Sequence, residues 1–396
     1  MARLLSILGA LRRPVLALVA AFAVGAVFIV LTDIEVITTV GKDPLAAAGM
    51  AVSRIVTAYL SLIEGAFGDP AKIQAALGSG SVQKISAALR PITETLVNTT
   101  PLIFTGLAIS VAFRTGVFNV GAEGQFILGG LGSTIVAILM GPLGIPAPLF
   151  MLLVLAVGAL VGGLWGFIPG VLKARFGANE VITTIMLNYV AFQIIFFVLQ
   201  WDAIRIIGNS QPISRELDNF VTIPRLLPML PSIRLHIGLF VALGAAALVS
   251  WFLFRTTRGF ELRASGLNAS AARYSGIGAV GAVITAMTIS GALAGLGGAF
   301  QVVGTIGQMS TSISSGYGFT AIALALLGRT KPSGVVAAAF LFGALQTGGA
   351  LMQVRTEIPM DLLKFVQALV IIFIAAPELV NSIFRNPFKR TKGVAA

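Results

Sequence analysis

Three stretches of this sequence put hydrogen-bonding or ionisable side chains where the surrounding residues are apolar. The first, FNVGAEGQ over 118–125, carries Asn119, Glu123 and Gln125 between glycines. The second, GANEVITTIMLNY over 177–189, carries Asn179, Glu180, Thr184 and Asn188. Glu180, Thr184 and Asn188 are spaced i, i+4, i+8, so a helix would display them on one face. The third, RTTRGFELRASGLNASAARYSGI over 255–277, is the longest internal polar stretch. Amides, hydroxyls and a lone carboxylate can hold an uncharged polar molecule or gate its passage. They do not make a nucleophile–base pair, and no catalytic constellation is present. The chain has no Cys and one His, which excludes thiol chemistry, H-E-x-x-H and clustered zinc ligands. It has no G-x-S-x-G and no G-x-x-x-x-G-K-[ST] phosphate loop, so it does not bind ATP by that route.

Each stretch has two readings. Glu123 lies five residues past Phe118, about 7 Å along a helix. There it is either a cavity-lining or gating carboxylate, or a helix-start carboxylate favoured by the dipole with Asn119 as N-cap. Asn179 can cap the next helix, and the stripe that follows is either helix–helix hydrogen bonding or a translocation path. In the third stretch Asn268 can cap a short helix over 269–274. That helix suits docking of a soluble partner, and an ordinary basic loop is the alternative. His236, flanked by Leu235 and Ile237, reads as an interfacial, structural histidine.

The elements that must position these groups are membrane helices. Of 396 residues 57% are hydrophobic and 11% charged, against about a quarter charged in soluble domains, and mean hydropathy is +0.95. Apolar runs near twenty residues recur and do not alternate, so the fold class is an all-α polytopic membrane protein rather than a barrel. Ten spans are expected, at 14–32, 92–113, 118–140, 147–172, 179–200, 235–254, 278–303, 317–328, 333–352 and 361–382. The first is read as a retained span, not a cleaved leader. The eighth is too short to cross alone unless the Gly-rich run 304–318 dips in beside it. Segment 45–77, interrupted by Arg54, Glu64, Asp69 and Lys72, reads as an amphipathic helix on the outer surface. The glycines of GALAGLGGAF (291–300) read as close helix packing. FTGLAISVAFRT (104–115) resembles FTAIALALLGRT (319–330), a short match that chance explains as well as an internal repeat does.

Charge sets the orientation. With the N-terminus inside, 16 of the 27 Lys and Arg residues fall on the inner face. Glu123, Glu180, Glu261 and Glu378 are the acidic residues there, so the whole net charge of +12 lies on the cytoplasmic side. The basic residues are therefore topological markers and not a nucleic-acid surface.

Together these features resemble the membrane permease of a bacterial ABC importer, in the group serving simple sugars, nucleosides and branched-chain amino acids. The resemblance runs from about residue 85 to 380. It rests on GVFNVGAEGQ, GANEVITTIMLNY, ELRASGLNASAARYSGI, GLGGAFQVVG and GYGFTAIALALLGR, the first two most like the nucleoside-type branch. It implies a type II importer-like permease with three regions: 1–85, a first helix and an outer segment; 86–385, the permease core with a coupling loop at 255–277; and 386–396, a basic cytoplasmic tail. It further implies a second related permease, giving a heterodimer, and an ATPase with two nucleotide-binding halves that carries the ATP and magnesium, leaving no cofactor on this chain. A substrate-binding lipoprotein or periplasmic protein would deliver cargo at a bacterial inner membrane, with both termini cytoplasmic. Glu261, Arg263, Ala264, Ser265, Gly266, Asn268, Ala271, Ala272 and Tyr274 would seat in the ATPase. Asn119, Glu123, Gln125, Asn179, Glu180, Thr184 and Asn188 are the candidates for the substrate path. The same machine carrying a ribose- or galactose-type sugar or a branched-chain amino acid is the alternative. An ion-coupled secondary transporter would need a carboxylate near the midplane, where the expected spans put almost none.

Overall fold

A computed structural model of the chain describes residues 2–217 and 223–375. Its helices are α1 (Ala2–Thr32), α2 (Ile34–Val40), α3 (Pro44–Phe67), α4 (Pro70–Gly78), α5 (Val82–Arg114), α6 (Ala122–Met140), α7 (Ala147–Phe176) and α8 (Glu180–Val198). They continue as α9 (Gly238–Arg255), α10 (Thr257–Leu267), α11 (Ala269–Tyr274), α12 (Ala279–Phe300), α13 (Tyr317–Leu327), α14 (Pro332–Thr356) and α15 (Met360–Ala375). Among the described residues eight helices are long and apolar enough to cross a membrane, and α1 with α2, bent by 74°, makes a ninth candidate. The short apolar α13 is the expected half-span. The end of the last expected span and the basic tail lie outside the described residues.

Segment 45–77 is two helices, α3 and α4, and by length and composition α3 is itself a candidate span, with an 18-residue window of mean hydropathy 1.5. Its charges, Arg54 and Glu64, stand well apart and leave an apolar window between and around them.

Contacts divide the chain into two compact units, residues 1–62 with 349–396, and residues 63–348. In the first, α1 packs on α15 through Ala17, Ala20 and Ala21 against Val366, Val370 and Phe373. The Tyr59 hydroxyl donates to the Phe22 carbonyl, and Arg54 pairs with Asp33 at 3.1 Å.

In the second unit α12 is the hub, and glycine makes it so. A Cβ on Gly295 would overlap the backbone of Gly158 and Gly162, and one on Gly129 would overlap Gly295. Gly291 lies against Gly162 and Gly166, and Gly298 against Phe126 and Gly130. Backbones of α6, α7 and α12 thus touch directly. Lipid tails are as apolar as Leu, so close van der Waals contact of this kind supplies the association energy. Sharp turns use local chemistry. Gly177, at φ +69°, ends α7 with its N–H on the Lys173 carbonyl, and Asn179 then caps α8 through the Val181 and Ile182 N–H groups. His236 is buried just before α9, in the structural role expected of it. Its Nδ1 accepts the Gly238 N–H at 3.1 Å and its ring stacks near Phe300.

Replacing Gly295 with Val should destabilise the detergent-purified protein by the ~1–3 kcal/mol or more of an overpacked core, read as a lower melting temperature. Gly281→Val, on the same helix but with open space around its Cβ position, is the control and should melt like wild type. Equal melting of the two would mean that the glycine contacts are not what holds α12.

Candidate functional site

The chain leaves α5 at Arg114 and does not resume a helix until Ala122. The residues between are buried for the most part, and their backbone groups need partners. The predicted stripe on α8 supplies them. Asn188 accepts the Gly124 N–H at 2.9 Å and donates to the Val120 carbonyl at 3.0 Å. The Thr184 side chain packs on Gly121, and the Glu180 carboxylate pairs with Lys173 at 2.8 Å. The two most distinctive motifs of the sequence therefore bind each other.

Asn119 ties the turn to the hub. Its Oδ1 accepts the Gly121 N–H at 2.9 Å, and its Nδ2 donates to Gln125 Oε1 and to Ser290 Oγ, each at 2.8 Å. Ser290, on α12, donates to the Ala108 carbonyl of α5 at 2.7 Å. Asn119 is thus not the N-cap of α6. Gly121 holds that position without a side-chain cap, and Asn119 bridges α5, α6 and α12 instead.

Glu123 differs most from expectation. It is 1% exposed and reaches a different helix. One carboxylate oxygen accepts the Ser314 hydroxyl, and the other accepts the Gly318 N–H at 2.7 Å, in the first turn of α13. Two helix N-termini face this carboxylate, its own and that of α13, and both favour negative charge. Gly318 permits the approach, because a Cβ there would overlap the Glu123 backbone. The sequence missed Ser290, Ser314 and Gly318 as partners. Ser290 shares its apolar run with Thr285 and Thr288, so no local signal marked it.

In this chain Asn119, Glu123, Gln125, Thr184 and Asn188 are buried against other helices, while Asn179 is exposed and apart from them. The loop over 307–316 is answered in the same way. Ser214 pairs with Met309 through its own N–H (2.9 Å) and by accepting the Met309 N–H on its hydroxyl (2.8 Å).

The polar stretch after α9 folds into α10 and α11, with Asn268 capping α11 through the Ser270 and Ala271 N–H groups. The cap was expected; α10 was not. The nine candidates here separate by direction. Asn268, Ala271 and Tyr274 are exposed, Tyr274 at 95%. Ser265 and Ala272 are buried, and Glu261, which pairs with Arg258, Arg263, Ala264 and Gly266 are half-buried. Gly266 lies on the Arg114–Gly116 backbone, so tightly that a Cβ would overlap it. Arg263 and Arg114 both stack on the Phe254 ring, at 5.1 and 5.3 Å, and Arg114 donates to the Thr330 carbonyl. Through Arg114 the two similar segments, 104–115 and 319–330, are joined at their ends.

Glu123→Ala should cost about 1–3 kcal/mol of stability, because it strands the Ser314 hydroxyl and the Gly318 N–H in a buried place. Glu123→Gln, which keeps an acceptor, should cost less. Thermal unfolding of the two purified variants would decide, and equal melting of Glu123→Ala and wild type would remove the clamp.

Comparison with known proteins gives the following. A family model described as branched-chain amino acid transport system / permease component matches residues 92–375. A guanosine ABC transporter permease protein of Bacillus subtilis is 39% identical over 72% of this chain and 80% of its own. A nucleoside ABC transporter permease protein of Lactococcus lactis is 38% identical over 74% and 81%. A glucose ABC transporter permease protein of Haloferax volcanii is 32% identical over 92% and 87%. No solved structure matches.

Proposed function

From a chain that belongs to the branched-chain amino acid transport system / permease component family, we propose a transmembrane subunit of an ATP-driven importer that carries nucleosides. The observation that carries the cargo is the 39% identity to the guanosine permease, over most of both chains. The wider coverage by the glucose permease, 92% of this chain, keeps a sugar as the second reading. The inside-positive count supports a bacterial cytoplasmic membrane with both termini cytoplasmic.

In this proposal α10 and α11 dock on the ATPase, which holds the ATP and magnesium, through Asn268, Ala271 and Tyr274. The inward residues of the same element pass the movement on. Gly266 bears on Gly116, and Arg263 and Arg114 share Phe254, so α10 and the α5–α6 turn move together. Asn119 and Asn188 fix that turn to α12 and α8, and Glu123 fixes it to α13. A rigid linkage of this kind suits alternating access, in which packed bodies rock about a fixed site. The stripe residues then position the helices of the path rather than touch the cargo. A second related permease would complete the path, and a binding lipoprotein or periplasmic protein would present the cargo from outside.

Radiolabelled guanosine uptake, measured in cells with and without this gene, tests the cargo, with unlabelled ribose, glucose and leucine as competitors. Loss of uptake on deletion, with no competition in wild type, is expected; uptake that survives deletion, or that glucose abolishes, would sink the nucleoside reading. Tyr274→Glu should abolish uptake and reduce copurification of the ATPase while the chain still inserts. Normal uptake by that variant would remove the docking assignment.

A further inference from the structure

A second polar cluster lies apart from the turn that Asn119 and Asn188 hold, and the proposed function has not used it. Asn98 of α5 donates to the Thr347 hydroxyl of α14 at 3.0 Å. The Tyr317 hydroxyl, at the start of α13, approaches Asn98 Oδ1 only to 3.5 Å, at the outer limit for a hydrogen bond. Gln301 lies one turn past Gly297, which packs on Phe126, the ring beside Tyr317. Gln301 is 6% exposed, and its Oε1 is buried with no partner. Four separate segments thus send one polar side chain each to a common point.

Depth and backbone single this point out. Asn98 lies 16 residues before Arg114 and Thr347 lies 15 residues after Pro332, about 24 and 22 Å of helical rise. In an apolar layer ~30 Å thick both fall in the same, far third. Polar side chains at such depth are costly and mark substrate pathways. Gln301 also opens the single π-helical turn, 301–306, in which α12 ends, and such turns are frequent at functional sites. Phe300 precedes it, stacked on Phe104 at 5.1 Å, and Phe126 packs on Tyr317. Asn98 and Thr347 are half-buried, and beside them Arg234 pairs with Glu94 through two bonds of 2.6 and 3.0 Å.

We propose that Asn98, Gln301, Tyr317 and Thr347 form a cargo-contact site for a neutral molecule bearing adjacent N–H or O–H donors. Two acceptors set that class, since Gln301 Oε1 has no donor and Asn98 Oδ1 has only a distant one. Adjacent donors are what the edge of a guanine or the diol of a sugar presents. A free amino acid fits poorly, because its carboxylate would meet those acceptors and the nearby Arg234 guanidinium is already held by Glu94. The proposal rests on the importer reading and deepens it.

The chain has no Cys, so single cysteines report on the site directly. In cells carrying the complete importer, uptake of guanosine, glucose and leucine first identifies what is transported. Thr347→Cys and Asn98→Cys are then treated with methanethiosulfonate ethylsulfonate, with and without the transported compound; Met229→Cys, far out on an exposed loop, is the control. Protection of the introduced thiol in Thr347→Cys or Asn98→Cys by the transported compound, with none in Met229→Cys, is expected. Gln301→Met, close in size, should lower maximal uptake about three- to tenfold, the loss of one hydrogen bond. In the purified complex it should also lower cargo-stimulated ATP hydrolysis by a similar factor while the hydrolysis measured without cargo stays as in wild type, which a merely structural role would not separate. No protection of either introduced thiol, or undiminished cargo stimulation in Gln301→Met, overturns the site. Protection by glucose in cells that do not take up guanosine would support the site and overturn the nucleoside cargo. Transport of none of the three compounds would overturn both.

Discussion

A backbone N–H or C=O without a partner costs several kcal/mol in hydrocarbon, and this constraint shapes the whole second unit. An unbroken helix satisfies its own backbone. This chain interrupts its helices inside the bundle, at 115–121 and at 307–316, and each interruption must be answered from elsewhere. Asn188 and Asn119 answer the first, Ser214 the second, and Glu123 joins the two by accepting the first-turn N–H of α13. The polar residues that looked misplaced in an apolar sequence are the partners those breaks require.

The breaks also determine what can move as a body. Glycine contacts bring α6, α7 and α12 into backbone contact, and the hydrogen bonds of Asn119 and Ser290 add α5 to the same block. The α10 helix is pressed on the end of α5 at Gly116 and Gly266, where neither position has room for a side chain. These contacts tie α10 to the α5–α6 turn, and Glu123 ties that turn to α13, the short helix whose first residue, Tyr317, approaches Asn98.

Much of this was legible in the residues. Runs of apolar residues marked the spans, and Asn179 and Asn268 marked the starts of α8 and α11, because a cap is a local interaction between neighbours in the chain. The glycines of 291–300 announced close packing. The i, i+4, i+8 stripe correctly predicted a common face for Glu180, Thr184 and Asn188. Where local rules ran out, expectation failed. The capping reading of Asn119 does not hold, because Gly121 takes the N-cap position and Asn119 turns to Gln125 and Ser290 instead.

Sequence by itself determined the class of molecule and its helices, since period, hydropathy and caps depend on residues a few positions apart. Partners were decided by the tertiary structure alone. Glu123 and Ser314 are 191 residues apart, Asn119 and Ser290 are 171, and Asn98 and Thr347 are 249. A hydrogen bond leaves no trace in the sequence around either partner when the other arrives from so far along the chain. Only the folding of α5, α12, α13 and α14 around one another brings those groups within hydrogen-bonding reach, and leaves the acceptor of Gln301 open among them.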